Sequence, residues 1–328
     1  MISSFVTILI LIGFLENYVI IRFGSERVMK YQIKGDYLII EINDDFAGIT
    51  IEQFFNYFHL SRKTIHLLKQ NKQYVLNNNF VTSNTLLKKG DLLKILAFEQ
   101  GIDYQFQSYP LSVVYEDDFI LIVDKPINTV IYPEDKSGLN TLCNYVANYY
   151  LETNQFIPVR HIHRLDKDTT GLVMFCKCAF LQPKLDMMMA NKEIKRTYLA
   201  IVDGIVKKDL IIDRGISRDR HQNKMRASNS GKKAITKVHV LKRDIKNNYT
   251  VVKCDLQTGR KHQIRVHLSS VNHPLLSDPL YGNKSKLINR VALHGYKLEF
   301  NHPFFNRKIT VFADIPNDMK FIGKIDLQ

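Results

Sequence analysis

The sequence predicts an α+β protein in two parts: a small basic α/β module, then a larger domain in which many strands alternate irregularly with short helices. Three observations carry this. Runs of β-branched and aromatic residues of strand length recur from residue 111 onward, among them LSVVYEDDFILIVDK, GLVMFCK, RTYLAIVDG, ITKVHVL, YTVVKCDL and KITVFAD. The segments between them follow no fixed interval, unlike a repeating βαβ sheet. Upstream of residue 100 the rhythm differs, with apolar residues at helical spacing followed by two strand-like stretches.

Residues 5–15, FVTILILIGFL, are apolar but too short to span a bilayer as a helix. They lack a basic leader and a small-residue cleavage site, so no signal peptide is expected. Translation is expected to begin at Met29, which makes 1–28 an extension of the chain. The small module is assigned to 29–100. There Ile49, Ile51, Phe54, Phe55 and Phe58 mark one helix, and Ser61 caps a second, RKTIHLLKQN. Strand signals follow in YVLNNNFV, with its Asn-Asn-Asn turn, and in DLLKILAF. Residues 101–110 are read as a linker ending at Pro110, and 111–328 as the larger domain.

Of 328 residues, 45% are apolar and 24% charged, ordinary for a globular protein, but 46 Lys and Arg against 32 Asp and Glu leave a net charge of +14. Between Lys207 and Lys246, 13 basic and 4 acidic residues give +9 of that total. Such a concentration favours a polyanionic partner over a merely solvated face. The four cysteines form no C-x-x-C pair, which points to a reduced, cytoplasmic protein without structural zinc. No Gly-rich dinucleotide fingerprint and no Walker sequence occurs, so no nucleotide cofactor is expected. Nothing suggests a coiled coil, and a monomer is expected.

Two stretches carry chemistry. In HIHRLDKDTTGL (161–172), Asp166 stands among Arg164, Lys167 and a following turn. Cationic neighbours favour an ionised carboxylate able to act as nucleophile or base, although an aspartate before a turn also serves as a backbone anchor. In LQTGRKHQIRVHLSSVNHPLLSDPLYG (256–282), Thr258 and Gly259 are expected to open a helix with Ile264, Leu268 and Val271 on its apolar stripe, ended by Asn272. Lys261 and Arg265, one turn apart, would share a cationic face; the plainer alternative is a solvated basic side. A metal centre built on His161 and His163 with His262 or His267 is weaker, since no H-E-x-x-H sequence accompanies them.

HRLDKDTTGL resembles the H-R-L-D-x-x-T-S-G motif of RNA pseudouridine synthases of the RluA type. Further stretches match in order: DDFILIVDKP (117–126), KRTYLAIVDG (195–204), LQTGRKHQIRVHL with HPLLSDPLYG, and LHGYKLEFNHP (293–303). The module over 29–100 resembles the alpha-L RNA-binding domain fused to such enzymes, through LSRKTIHLLKQNKQYVLNNNFV and GDLLKI. The resemblance implies a mixed, largely antiparallel catalytic sheet with helices around a central cleft. It implies an isomerase without metal or cofactor, in which Asp166 is the catalytic carboxylate, Arg265 its basic partner and Tyr198 the tyrosine facing the base. A base must leave the stack to be reached, and Arg164 is the residue expected to fill the gap. Arg260, His262 and Gln263, with Arg62 and Lys63 in the small module, are the further expected RNA contacts. The implied partner is RNA, large-subunit ribosomal RNA first and transfer RNA as the alternative, with no membrane partner. A non-catalytic RNA-binding protein is the rival from another class, but it has no need of Asp166, Tyr198 and Arg265 together. Thr170 replaces a common Ser, Asn78 a turn glycine, and Asn128 and Tyr132 the usual glycine and histidine of a cleft-edge loop, which bears on the choice of RNA.

Overall fold

Thr50 and Ser61 each start a helix with a side-chain oxygen that satisfies an orphan amide. The Thr50 hydroxyl accepts from the Gln53 N–H while the Gln53 side chain accepts from the Thr50 N–H, a reciprocal box that opens α1 (Ile51–Tyr57). The Ser61 hydroxyl accepts from the Thr64 N–H and opens α2 (Arg62–Gln70). These helices belong to a computed structural model that describes residues 29–135, 138–305 and 307–325, with the backbone of 7–10 and 19–22. They pack on a four-stranded antiparallel sheet in the order Tyr31–Lys34, Tyr37–Glu41, Leu92–Leu96, Tyr74–Leu76. The first hairpin was not expected from sequence: its strands are four and five residues long, and Gly35 at φ +58° makes the turn too tight to leave a longer signature. Asn78, standing where a glycine is usual, adopts φ +65°, a left-handed conformation that asparagine tolerates.

The larger sheet is mixed and largely antiparallel, as expected. Its spine runs Lys308–Phe312, Leu293–Asn301, Lys195–Asp203, Tyr249–Leu256, Ile235–Asp244, Leu210–Asp213. A branch leaves it at Thr170–Cys176, which is parallel to Leu293–Asn301 over only two residue pairs and then pairs antiparallel with Ile120–Lys125. The fork depends on glycine. Gly171 has φ +120°, and a Cβ there would lie 2.6 Å from the Gly295 Cα, so only glycine at 171 lets these backbones lie this close. Gly295 also pairs with Tyr198 on its other side. The crossing therefore brings the loop that ends at Thr170 against the strand that carries Tyr198.

Among the described residues, three further α-helices flank the sheet: α3 (Leu142–Glu152), α4 (Gln182–Ala190) and α5 (Gln263–Ser269). The backbone of Val19–Arg22 pairs antiparallel with Lys308–Phe312, and Thr7–Ile10 pairs with it in turn. The rest of 1–28 lies outside the described residues, and with it most of the apolar run. Among the described residues no helix is long and apolar enough to cross a membrane.

The small module shares one hydrophobic core with the larger sheet. Phe58 of the module meets Phe180 at 4.8 Å and Phe304 at 6.5 Å between ring centroids, and the Tyr31 hydroxyl donates to Asp118 at 2.7 Å. The segment 101–110 has no regular structure, yet it is pinned throughout. Asp103 accepts from the Val159 N–H at 3.0 Å, the Gln105 carbonyl accepts from Asn144 at 2.9 Å, and Tyr109 stacks on Tyr145 at 4.3 Å. It behaves as a strap along the surface, not as a slack tether.

Candidate active site

Asp166 sits in the loop between the short strand Arg160–His161 and Thr170–Cys176. The loop closes on itself where the Thr169 N–H donates to the Asp166 carbonyl at 3.1 Å. It is also tied from below. The ammonium of Lys125, fully buried, donates to the carbonyls of Pro126, Thr129 and Lys167 at 2.9, 2.8 and 3.2 Å. One cation thus joins the cleft-edge loop to the residue after Asp166. Burial drives its pKa down to about 7, against the attraction of Asp168 and Asp166.

Helix α5 begins later than the sequence suggested, at Gln263 in place of Thr258–Gly259, because His262 takes φ +56° and breaks the helical path before it. Its character differs as well. Every residue from Gln263 to Leu268 is buried, so there is no shared cationic face. Lys261 is exposed in the preceding turn, and Arg265 points inward at 3% exposure. The Arg265 Nε and Nη2 donate to the two oxygens of Asp278 at 2.8 and 2.7 Å. Asp278, itself fully buried, also accepts from the Leu280 and Tyr281 N–H groups. This leaves Nη1 of Arg265 facing Asp166 at 3.7 Å, while His262 Nε2 lies 3.8 Å from the other Asp166 oxygen. Tyr281 supports both: its hydroxyl shares a proton with His262 Nδ1 at 2.9 Å, and its ring lies 5.3 Å from the Arg265 guanidinium carbon. Burial opposes the charge on Arg265, but the Asp278 bonds outweigh it and raise its pKa. Burial lowers the pKa of His262 in spite of Asp166, which favours a neutral imidazole.

Tyr198 enters the cleft from the strand Lys195–Asp203, 5% exposed, at a point where the register with Leu293–Asn301 shifts between Thr197 and Tyr198. Burial raises the pKa of its hydroxyl against the pull of nearby Arg196. Asp166, Tyr198, His262 and Arg265, with Arg164 and Arg196, line one cleft of about 740 Å³. Arg164 is exposed at its rim and donates to the Tyr132 hydroxyl at 3.0 Å. Arg260 is exposed and donates to the Lys233 carbonyl. Gln263 is tied into the scaffold. Its amide donates to Ile235 and Thr236 and its oxygen accepts from Thr258 and the Arg260 N–H, so it holds this loop in shape. Arg62 and Lys63 lie exposed on the first turn of α2, outside the cleft lining.

The histidines weighed as metal ligands have separate partners. His163 Nε2 accepts from the Met174 N–H, His267 bonds to Thr236 and to the Arg214 carbonyl, and His161 stacks on Tyr132. Among the described residues, no group of three or more His, Cys, Asp or Glu could hold a metal ion. Sequence reasoning missed Asp278, Tyr281, Arg196 and Lys125. A carboxylate between Ser277 and Pro279 in an otherwise apolar stretch was the available signal for Asp278.

A carboxylate held beside a buried guanidinium, in a cleft with arginines at its rim, is the equipment of an enzyme that works on a polyanion. The comparisons are specific. Residues 119–270 match the RNA pseudouridylate synthase family, and residues 38–93 match the N-terminal domain of the ribosomal pseudouridine synthase RluD. The chain is 38% identical to the uncharacterized RNA pseudouridine synthase YhcT of Bacillus subtilis, over 79% of this chain and 87% of that one. It is 32% identical to the ribosomal large subunit pseudouridine synthase D of Nitrosomonas europaea, over 85% of each. This chain belongs to the RNA pseudouridine synthase family and is an isomerase of uridine in RNA. The solved structure of human RNA pseudouridylate synthase domain containing 1 shares its fold, with a TM-score of 0.54 at 24% identity over 63% of this chain and 84% of that one.

Proposed function

We propose that the protein converts specific uridines of large-subunit ribosomal RNA to pseudouridine, as a cytoplasmic monomer, with Asp166 as the catalytic carboxylate. One observation carries the site assignment: in a single cleft the Asp166 oxygens lie 3.7 Å from Arg265 and 3.8 Å from His262, with Tyr198 in the same lining. The carboxylate attacks either C1′ or the uracil ring, or stabilises an oxocarbenium-like sugar, as the N1–C1′ bond breaks. The base turns and C5 bonds to C1′; C5 gives up a proton and N1 gains one, so atoms and electrons balance. Arg265 sets the charge around Asp166, and Tyr198 bounds the base and assists removal of the C5 proton. Arg164 enters the stack in place of the extracted uridine.

The large-subunit target is supported by the printed names of relatives such as the Nitrosomonas enzyme and by the match of 38–93. In this reading 29–100 is an RNA grip, 101–110 its strap, and 111–328 the catalytic part. Exposed cations such as Arg218, Arg226 and Lys233 form a track for phosphates together with Arg62 and Lys63. The test is tritium release from C5-tritiated, unmodified large-subunit ribosomal RNA, without added metal or nucleotide. Release is expected from the wild type and none from Asp166→Asn, which should still bind the RNA. Release that persists in Asp166→Asn would remove Asp166 from the chemistry.

A further inference from the structure

Tyr132 stands where the family resemblance led us to expect histidine, and its surroundings are more ordered than a loop residue needs. The backbone on its N-terminal side is bonded into the start of α3, where Leu142 N–H donates to the Val130 carbonyl and Cys143 N–H to the Ile131 carbonyl, both at 2.9 Å. Lys125 grips the same loop at the Thr129 carbonyl. On this fixed base the Tyr132 ring stacks on His161, with centroids 5.2 Å apart and planes 27° from parallel. The Arg164 guanidinium lies against it, its carbon 5.8 Å from the ring centroid and Nη1 donating to the hydroxyl. Tyr132 nevertheless remains 40% exposed.

A flat ring backed by an imidazole, beside a guanidinium, at the edge of a cleft that takes one nucleoside, has the chemistry to hold the next base. We propose that Tyr132 is a nucleobase-stacking subsite, covered by Arg164 in the RNA-free protein and uncovered when that guanidinium leaves for the RNA. The proposal rests on the uridine-isomerase reading above. Among the described residues, the hydrogen bond of Arg164 goes to a tyrosine hydroxyl and not to a carboxylate, so no buried ion pair holds it back. Once it departs, the ring loses the cation at its hydroxyl end and its exposed surface is open to a base. A base beside the extracted uridine has lost its own stacking neighbour at that moment. The exchange gives each unstacked surface a new face. Stacking tolerates any base, so the subsite adds affinity for distorted RNA without dictating a sequence.

The test uses the full chain with unmodified large-subunit ribosomal RNA carrying C5-tritiated uridine, and measures filter-binding affinity and single-turnover tritium release separately. Tyr132→Ala and Tyr132→Leu should weaken binding by about 5- to 100-fold, the range for one aromatic–base stack. Release at saturating protein should stay within about threefold of the wild type, as expected for a group that acts in binding. Tyr132→Phe and Tyr132→Trp should bind as the wild type does. If Tyr132→Ala destabilises the loop, as thermal melts would reveal, the Leu and Phe variants decide, because both fill the space and only one stacks. The proposal is overturned by unchanged affinity in Tyr132→Leu, by a Tyr132→Phe variant as weak as Leu, or by a loss confined to the saturated rate. Tyr132-dependent binding with no tritium release from the wild type would sink the isomerase reading and leave the subsite standing; release with Tyr132-independent binding would do the reverse.

Discussion

At the floor of the cleft, Arg265, Asp278, His262 and Tyr281 meet through hydrogen bonds of 2.7–2.9 Å. Where the small module meets the large sheet, Phe54, Phe58, Phe180 and Phe304 meet ring to ring at 4.8–6.5 Å. Both junctions are buried, yet they use forces of different kinds. Hydrogen bonds and ion pairs are directional, and a buried charge left without its partner is heavily penalised. Apolar contact has no direction and answers mainly to volume. The first junction therefore orients two groups toward Asp166, while the second holds a whole module in place. The difference teaches where each tolerates change: the cleft floor fails on loss of one atom's charge, and the module seat fails only on loss of bulk.

The largest effect should come from Asp278→Ala. It strips the buried Arg265 guanidinium of both its close hydrogen bonds and leaves only Asp166 at 3.7 Å, which costs on the order of 3 kcal/mol. A loss of unfolding free energy in urea of less than about 1 kcal/mol would show that the pair is not a true buried ion pair. Asp278→Asn keeps the shape but not the charge, and should still lose most of that stability. Phe58→Ala comes next, at about 3 kcal/mol from cavity formation, with the module becoming more open to limited proteolysis. Here the conservative Phe58→Leu should recover most of the loss, to within about 1.5 kcal/mol of wild type. Equal tolerance of Asn at 278 and Leu at 58 would break the comparison.

A smaller effect depends on pH. His163 and His294 are buried neutral, and burial together with nearby arginines brings each pKa down to about 3. The unfolded chain takes up these protons near the ordinary pKa of about 6.5 and the folded chain does not. Stability is therefore full above pH 6.5 and lost as the pH falls from there toward 3, by roughly 1 kcal/mol per pH unit for each group. Urea midpoints from pH 7 to pH 5 should fall less steeply in His163→Gln than in the wild type. The smallest effect belongs to Lys184, whose ammonium lies 4.5 Å from the Tyr57 ring at the exposed edge of the module seat. Lys184→Ala should lower the unfolding free energy measured in urea by no more than about 0.5–1 kcal/mol. A larger loss would mean that charge, and not apolar contact, holds the module.

Legibility followed range. The cap Ser61 and long strands such as Ile120–Lys125, Thr170–Cys176, Lys195–Asp203 and Tyr249–Leu256 were readable because their signals lie within a few residues of each other, whereas the Thr50 cap and the short strands between Leu210 and Ala227 were not. The hairpin at Tyr31–Glu41 was too short to show a period. The late start of α5 escaped notice because left-handed backbone at His262 is carried by no glycine. In the site, the sequence pointed to Asp166, Tyr198 and Arg265. It misjudged the setting of Arg265, which is a buried group with an aspartate partner 13 residues further on and not part of a cationic face shared with Lys261.

The amino-acid order by itself determined many of the helices and long strands and marked the two charged stretches that hold Asp166 and Arg265, since propensity, capping and charge act between near neighbours. Only the tertiary structure decided how those residues meet. Asp166 reaches Arg265 because Gly171 lets two strands lie close, and the Arg265 Nη1 faces it because Asp278 holds Nε and Nη2. A hydrogen bond between distant segments exists only after the sheet has placed both ends, and no local pattern encodes that placement.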